Sequence, residues 1–336
     1  MLPHALRGAA GAAALLLGLG MAAHPAAAQM AAEPSIAEQL VNGLEGVFGQ
    51  HAGRRRSGTR GFCATGEWMA TGAAAPMTTA STLQPGARAA VVARFSLGGG
   101  NPNAPENAPG VRGLSFSAEL PGGDTQEFVL INTPVFTART PESFVNFLRV
   151  RAPDPQTRQM NSAAVAAANA ANPDWAPQMA YVRENAPPRS YATSAYFGIN
   201  SFVLVNRAGQ RQHVRWTFEP VAGRHGLTPE ERQARGPAFL EAELRERLAA
   251  GPAEWRVLLQ FPEAGDPLDD AVTAWPDSRR TLEVARLRIT ALAGPEACDA
   301  RLFNPVLLPD GIEPSADPIL NARAEAYAVS LSRRLQ

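Results

Sequence analysis

The stretch FNPVLLPDGIEPSADPILNARAEAY, residues 303–327, decides how the chain is read. Ser315 and Asp317 stand just before Pro318, a start signal that predicts a helix from about Pro318 to the end of the chain. On that helix Arg323, Tyr327, Ser330 and Arg334 are spaced four, three and four apart, so a 3.6-residue period puts them on one stripe. A cation one turn from a phenol favours its ionised form, which is the form a ferric iron needs. Spacing alone favours a plainer reading, a core tyrosine tied to a solvated arginine, because structural ion pairs perturb phenols too.

Upstream of this helix the chain reads mostly as strands. Ser35–Phe48 has apolar residues at helical spacing behind a Ser cap. Strand-like runs follow at GFCATGEW, AAVVARFSLGG, GLSFSAEL and QEFVLINTPVF. The Gly-, Pro- and Asn-rich GGGNPNAPENAPG between them is predicted loop. Residues 141–180 read as helical, with an Ala-rich middle that supplies propensity and little packing area. In SFVLVNRAGQRQHVRWTFEP, Val214, Trp216 and Phe218 alternate with Arg215, Thr217 and Glu219, giving a hairpin strand with one apolar face and a turn at Asn206–Gly209. Pro237 and Gly251 frame a helix lined by Leu240, Leu244 and Leu248. EWRVLLQF and TLEVARLRITAL are two further strands. Strands first and helices inserted or last make an α+β class around an antiparallel sheet or barrel, with no fixed-period repeat.

Residues 1–28 hold Arg7, an apolar run and a small-residue stretch, the layout of a secretory signal. The expectation is therefore a signal peptide at 1–28, a single domain at 29–336, and a periplasmic or secreted location. No later segment predicts a membrane span. Acidic and basic residues number 31 each, which leaves no electrostatic footprint for nucleic acid or an anionic membrane surface. Cys63 and Cys298 are read either as one long-range disulfide or as two buried thiols.

Several of these segments resemble catalases, in the same chain order. The 303–327 stretch is similar to the segment leading through the haem-ligating tyrosine. ARFS at 93–96 resembles the strand whose arginine binds a haem propionate, and VRGLSFS at 111–117 the strand after it. INTPVF at 131–136 is similar to the distal Asn-Thr-Pro segment, YFGINSFVLVNRAGQ with VRWTFEP to the central hairpin, and AWPDSRRTLEVARLRI to the Trp-Pro segment before a late strand. The resemblance covers nearly all of 29–336 and ends where full-length catalases add a helical domain, as in the small catalase-related peroxidases. It implies a catalase-like antiparallel β-barrel with inserted and C-terminal helices, and haem b as cofactor. Tyr327 is then the proximal iron ligand, supported by Arg323. Arg55, Arg94 and Arg334 are the expected propionate ligands, for which a guanidinium fork is suited. Asn132 is the expected distal side chain holding peroxide. Arg54, Arg56 and Arg60 are read as solvated charge.

One departure bears on activity. The place of the family's distal histidine, three residues before Gly61, is Gly58, so the Ser96 hydroxyl that would orient an imidazole lacks its partner. Moving a proton between peroxide oxygens needs an acid/base group, and His51, His213 and His225 read as structural or solvent-facing. The leading expectation is a haem-dependent peroxidase or weak catalase, impaired at Gly58, using hydrogen peroxide or organic hydroperoxides and an unknown small-molecule reductant. The alternative is an inactive haem carrier or sensor; rearrangement of a lipid hydroperoxide and a cofactor-free β-rich protein complete the set. A homodimer is left open.

Overall fold

Apolar residues at every second position specify strands with one buried face, and ten strands form in the computed structural model, which describes residues Glu33–Gln336. The expected signal peptide lies outside the described residues. The strands are β1 (Gly61–Ala70), β2 (Arg88–Leu97), β3 (Arg112–Glu119), β4 (Thr125–Ile131), β5 (Tyr196–Phe197), β6 (Phe202–Val205), β7 (Arg211–Pro220), β8 (Ala253–Gln260), β9 (Thr281–Ala293) and β10 (Ile312–Pro314). All their pairings are antiparallel. The order β7-β5-β4-β3-β2-β1-β9-β8 closes on itself because β7 also pairs with β8, giving an eight-stranded barrel with β6 and β10 continuing from β7. Closure removes the unpaired edges an open sheet would expose.

The barrel interior is aromatic. Trp68, Phe116, Phe128 and Phe218 are at most 3 % exposed, with Phe116 and Phe128 stacked at 4.6 Å between ring centroids. The predicted apolar face of β7 is the observed one, since Val214, Trp216 and Phe218 are all buried. Arg215, on the face expected to be polar, is buried as well; its guanidinium donates to the carbonyls of Thr273 (2.7 Å) and Asp270 (2.8 Å) and lies over Trp275.

Seven α-helices are described: α1 (Ile36–Phe48), α2 (Pro141–Arg149), α3 (Ser162–Ala171), α4 (Ala176–Glu184), α5 (Pro229–Ala234), α6 (Leu240–Ala250) and α7 (Pro318–Leu335). The helical reading of 141–180 resolves into three pieces. Pro153 and Pro155 interrupt it, and the Asp154 carboxylate accepts from the Gln156 and Thr157 N–H groups in a turn. Asp317 caps α7 by accepting from Ile319 N at 2.9 Å, as the start signal predicted. Ala37 and Leu40 of α1 pack on Ala326 of α7, with Phe144 and Val145 of α2 alongside. Glu45 of α1 ties this layer to the chain before the barrel, accepting from Arg56 (2.6 Å) and from Arg333 of α7 (2.8 Å). Arg56 is therefore a buried structural cation and not the solvated charge expected. No described helix is long and apolar enough to cross a membrane.

Cys63 of β1 and Cys298, beyond β9, form a disulfide across 235 residues of sequence, settling that open alternative. It ties the barrel wall to the segment that carries Asp299, Leu302 and Phe303. Replacing both cysteines by Ser is expected to lower unfolding stability by about 2–5 kcal/mol, measured by urea denaturation with and without reductant. Equal midpoints for the two proteins under oxidising conditions would show that the crosslink contributes nothing.

Candidate functional site

Between the barrel wall and the layer of α1, α2 and α7 lies a cavity with mainly apolar walls. A helix of period 3.6 keeps residues three and four apart on one side, and the whole predicted stripe of Arg323, Tyr327, Ser330 and Arg334 lines it. Facing the stripe, Arg55, Gly58, Arg94 and Ser96 complete the set of predicted site residues that share the cavity.

The tyrosine oxygen is held by a relay. Arg323 Nε donates to Tyr327 Oη at 2.9 Å, while its Nη1 donates to Asn200 Oδ1 at 3.0 Å and its Nη2 to the Val129 carbonyl at 3.3 Å. Asn200 Nδ2 in turn donates to Asp317 at 2.8 Å. Asn200 is 1 % exposed, and burial pushes the Asp317 carboxyl up against the opposing pull of its hydrogen bonds. The carboxylate that starts α7 thus also fixes the guanidinium that presents Tyr327. Sequence reading missed Asn200, although it lies within the quoted YFGINSF, because no spacing rule brings residue 200 to residue 323.

The three other arginines meet at one end of the cavity. Arg55 Nη2 donates to the carbonyls of Arg301 (2.6 Å) and Cys298 (3.0 Å). Arg94 donates to the carbonyls of Gly58 (2.6 Å) and Thr59 (3.2 Å), and its Nε lies 3.7 Å from the Asp299 carboxylate. Burial pushes Arg55 down to about 9, and the like charges of Arg94 and Arg334 add to that. Burial lowers Arg94 and Arg334 too, each opposed by Asp299. A guanidinium does not give up its proton in a protein, so these shifts register cations short of counter-anion. Arg55 Nε, Arg94 Nε and Arg334 Nη2 are all buried without a hydrogen-bond partner among the described residues. Among the described residues, three guanidinium groups against the carboxylate of Asp299 leave two positive charges over. Two carboxylates of a ligand would match that remainder and use the free nitrogens, so these residues fit the haem that the resemblance implies: the arginine end would take its propionates and Tyr327 would be available to its iron.

The distal expectations fare differently. Gly58 has φ +65°, in the left-handed region that glycine adopts without strain. A Cβ at Gly58 would stand 3.1 Å from Ser96 Oγ, so the hydroxyl does face the place where an orienting partner would sit. Asn132 requires a correction. Its Oδ1 accepts from Arg112 N at 2.7 Å and its N–H donates to the Arg112 carbonyl at 2.9 Å, so it extends the β3–β4 ladder and is absent from the cavity lining. Neighbouring strand residues face opposite ways, and at this place the cavity wall is Ile131. None of the three histidines among the described residues lines the cavity; His51 and His225 each pair with a local carbonyl, and His213 lies in β7 opposite Val203. The wall that would face a substrate carries Ser57 and Ser96 beside Ile131, Phe136 and Phe144.

A closed eight-stranded antiparallel barrel carrying a helix whose tyrosine and arginines share one cavity defines a catalase-type protein. Residues 50–336 match the catalase family model, and the chain belongs to the catalase family. It is 40 % identical over 301 residues to a catalase-related peroxidase of Synechococcus elongatus, covering 88 % of each chain. With a catalase-related peroxidase of Mycolicibacterium paratuberculosis the identity is 29 % over 303 residues, 88 % of this chain and 94 % of that one. The solved structure of a bacterial catalase superposes with a TM-score of 0.77 at 21 % identity, over 85 % of this chain and 58 % of that chain. The relatives support peroxidase or catalase chemistry.

Asn200→Leu removes one acceptor of Arg323 and the side-chain partner of the buried Asp317 in one step, leaving both under-bonded. It is expected to lower stability by about 2–3 kcal/mol, read by thermal and urea unfolding. A loss below the error of the measurement would mean that the relay holds nothing in place.

Proposed function

We propose that this chain is an exported haem b protein of peroxide chemistry, a peroxidase or weak catalase acting on hydrogen peroxide or organic hydroperoxides outside the cytoplasm. The observation that carries it is the convergence of three buried, partner-short guanidinium nitrogens on the cavity that also presents Tyr327. When bound, the haem supplies the redox chemistry with peroxide, and the protein sets ligation, access and polarity. Arg323 Nε–H holds the phenol oxygen in one orientation. Arg55, Arg94 and Arg334 hold the propionates, while Ile131, Phe136 and Phe144 keep bulk water from the reacting side. The Ser96 hydroxyl faces the cavity and can hydrogen-bond a peroxide oxygen, but a serine does not shuttle a proton at neutral pH as an imidazole does. The layout of residues 1–28 supports export, and the cofactor would then be taken up afterwards.

A second reading, a haem carrier or sensor without turnover, is favoured by the distal wall. With Gly58 in place of an acid/base residue and Asn132 engaged by Arg112, the described site holds no side chain suited to moving the peroxide proton. The two readings separate on rate in haem-loaded protein.

Tyr327→Phe is expected to abolish the ferric tyrosinate absorption bands; unaltered bands would remove Tyr327 from the iron. Gly58→His places a ring toward Ser96 at a backbone strain of about 1–2 kcal/mol, the usual cost of a side chain in the left-handed region. Its rate of reaction with peroxide is expected to rise by roughly 10²–10⁴, the usual contribution of a positioned acid/base. An unchanged slow rate in stopped-flow would place the defect elsewhere in the pocket.

A further inference from the structure

We propose that a second cavity, walled in part by Gly61 beside the Arg94 guanidinium, is the docking site of a small neutral phenol that serves as electron donor. This rests on the peroxidase reading above and names the class of its reductant. The cavity measures about 300 Å³, the low end of the roughly 300–1,000 Å³ of small-molecule sites, which is room for one substituted ring. Its walls include Arg60, Phe62, Glu106, Tyr191, Glu241 and Arg245.

The charges there are already committed. Arg60 pairs with Glu106 at 3.0 Å and Arg245 with Glu241 at 2.9 Å, and Glu106 also accepts from the Phe239 and Leu240 N–H groups at the start of α6. The two arginines and two glutamates balance, so the wall carries no net charge and suits a neutral ligand better than a charged one. The uncommitted polar group is the Tyr191 hydroxyl. Tyr191 is 1 % exposed, and among the described residues only its backbone oxygen takes part in hydrogen bonding, accepting from Tyr196 Oη and from the Ser194 N–H. Burial pushes its phenol well up, with Arg112, Glu106, Arg94 and Arg60 acting on it in smaller measure. It therefore stays a protonated donor beside the walls formed by Arg60 and Glu106. A ligand hydroxyl meets it there, and the ligand ring meets Phe62.

Placement argues for electron donation. The Tyr191 ring packs 4.9 Å from Phe95, centroid to centroid. The residues on either side of Phe95, Arg94 and Ser96, line the first cavity. Gly61 belongs to the wall of the second cavity, and a Cβ there would come within 2.8 Å of Arg94 Nη1. The Arg94 guanidinium at the wall of the first cavity thus lies next to Gly61 at the wall of the second. Each phenol gives up one electron toward the first cavity and releases its proton to solvent. Two phenols and one hydroperoxide become two phenoxyl radicals, one alcohol (water, from hydrogen peroxide) and one water.

The test titrates 4-fluorophenol into haem-loaded protein without peroxide, followed by fluorine NMR. The starting material must already show tyrosinate bands, so failure of the cofactor reading is seen before the titration begins. Saturable binding is expected, weakened at least tenfold in Ala242→Trp, which fills the cavity from the exposed side of α6, and about fivefold in Tyr191→Phe. Both variants should keep the absorption spectrum of the parent. In Ala242→Trp, kcat/KM for 4-fluorophenol should fall at least tenfold while reaction with peroxide alone is unchanged. Absence of saturable binding, or equal affinity in Ala242→Trp, overturns the site and leaves the cofactor reading standing.

Discussion

Positive charge buried in excess of its counter-charge is the constraint on which the site depends. Arg55, Arg94 and Arg334 converge on one end of a mainly apolar cavity with Asp299 as their carboxylate. Removing a cation from water costs several kcal/mol unless hydrogen bonds and opposite charge compensate. Here the compensation is partial and comes from the backbone. The carbonyls of Cys298 and Arg301 hold Arg55, and those of Gly58 and Thr59 hold Arg94. Carbonyls are dipoles, so they orient the guanidinium groups without neutralising them. What remains is a preorganised demand for a dianion, placed where the helix bearing Tyr327 also ends.

The elements that supply those carbonyls are fixed by long-range structure. Cys298 holds its segment against β1 through the disulfide, and the same segment carries Asp299 and Phe303, whose ring lies 5.8 Å from the Arg55 guanidinium carbon. Gly58 and Thr59 precede β1 directly. Both holders therefore hang on the first strand of the barrel, one by chain continuity and one by crosslink. Glu45 adds a third tie, joining α1 to Arg56 and Arg333 beside the same end of the cavity. The barrel wall, the disulfide and the Glu45 pairs thus all hold the segments that carry these arginines and their carbonyls.

What could be read from the sequence divides along the range of the interactions. The stripe of Arg323, Tyr327, Ser330 and Arg334 was legible because helical period is a local property, and all four residues line the cavity. The apolar face of β7 was legible for the same reason, although Arg215 on its other face is buried through partners about 55 residues away in sequence. Asn200, Asp299 and the role of Arg56 were not legible, since each acts through a partner brought close only by the fold. Asn132 failed for a subtler reason. In a strand one residue of displacement exchanges the two faces, so a motif can be located correctly while the side chain at the wall is that of its neighbour, Ile131.

The two halves of the site are separable, and Gly58 shows why. Its carbonyl accepts from Arg94 at 2.6 Å, while its missing side chain would have pointed at Ser96 Oγ. The backbone at this position serves the anion-binding half, and only the side chain would serve proton transfer. Losing the side chain therefore leaves the contact to Arg94 in place, and a left-handed φ is more easily kept by glycine than by any residue that could act as an acid. A side chain introduced here would act beside Ser96 without having to rebuild the arginine end of the cavity.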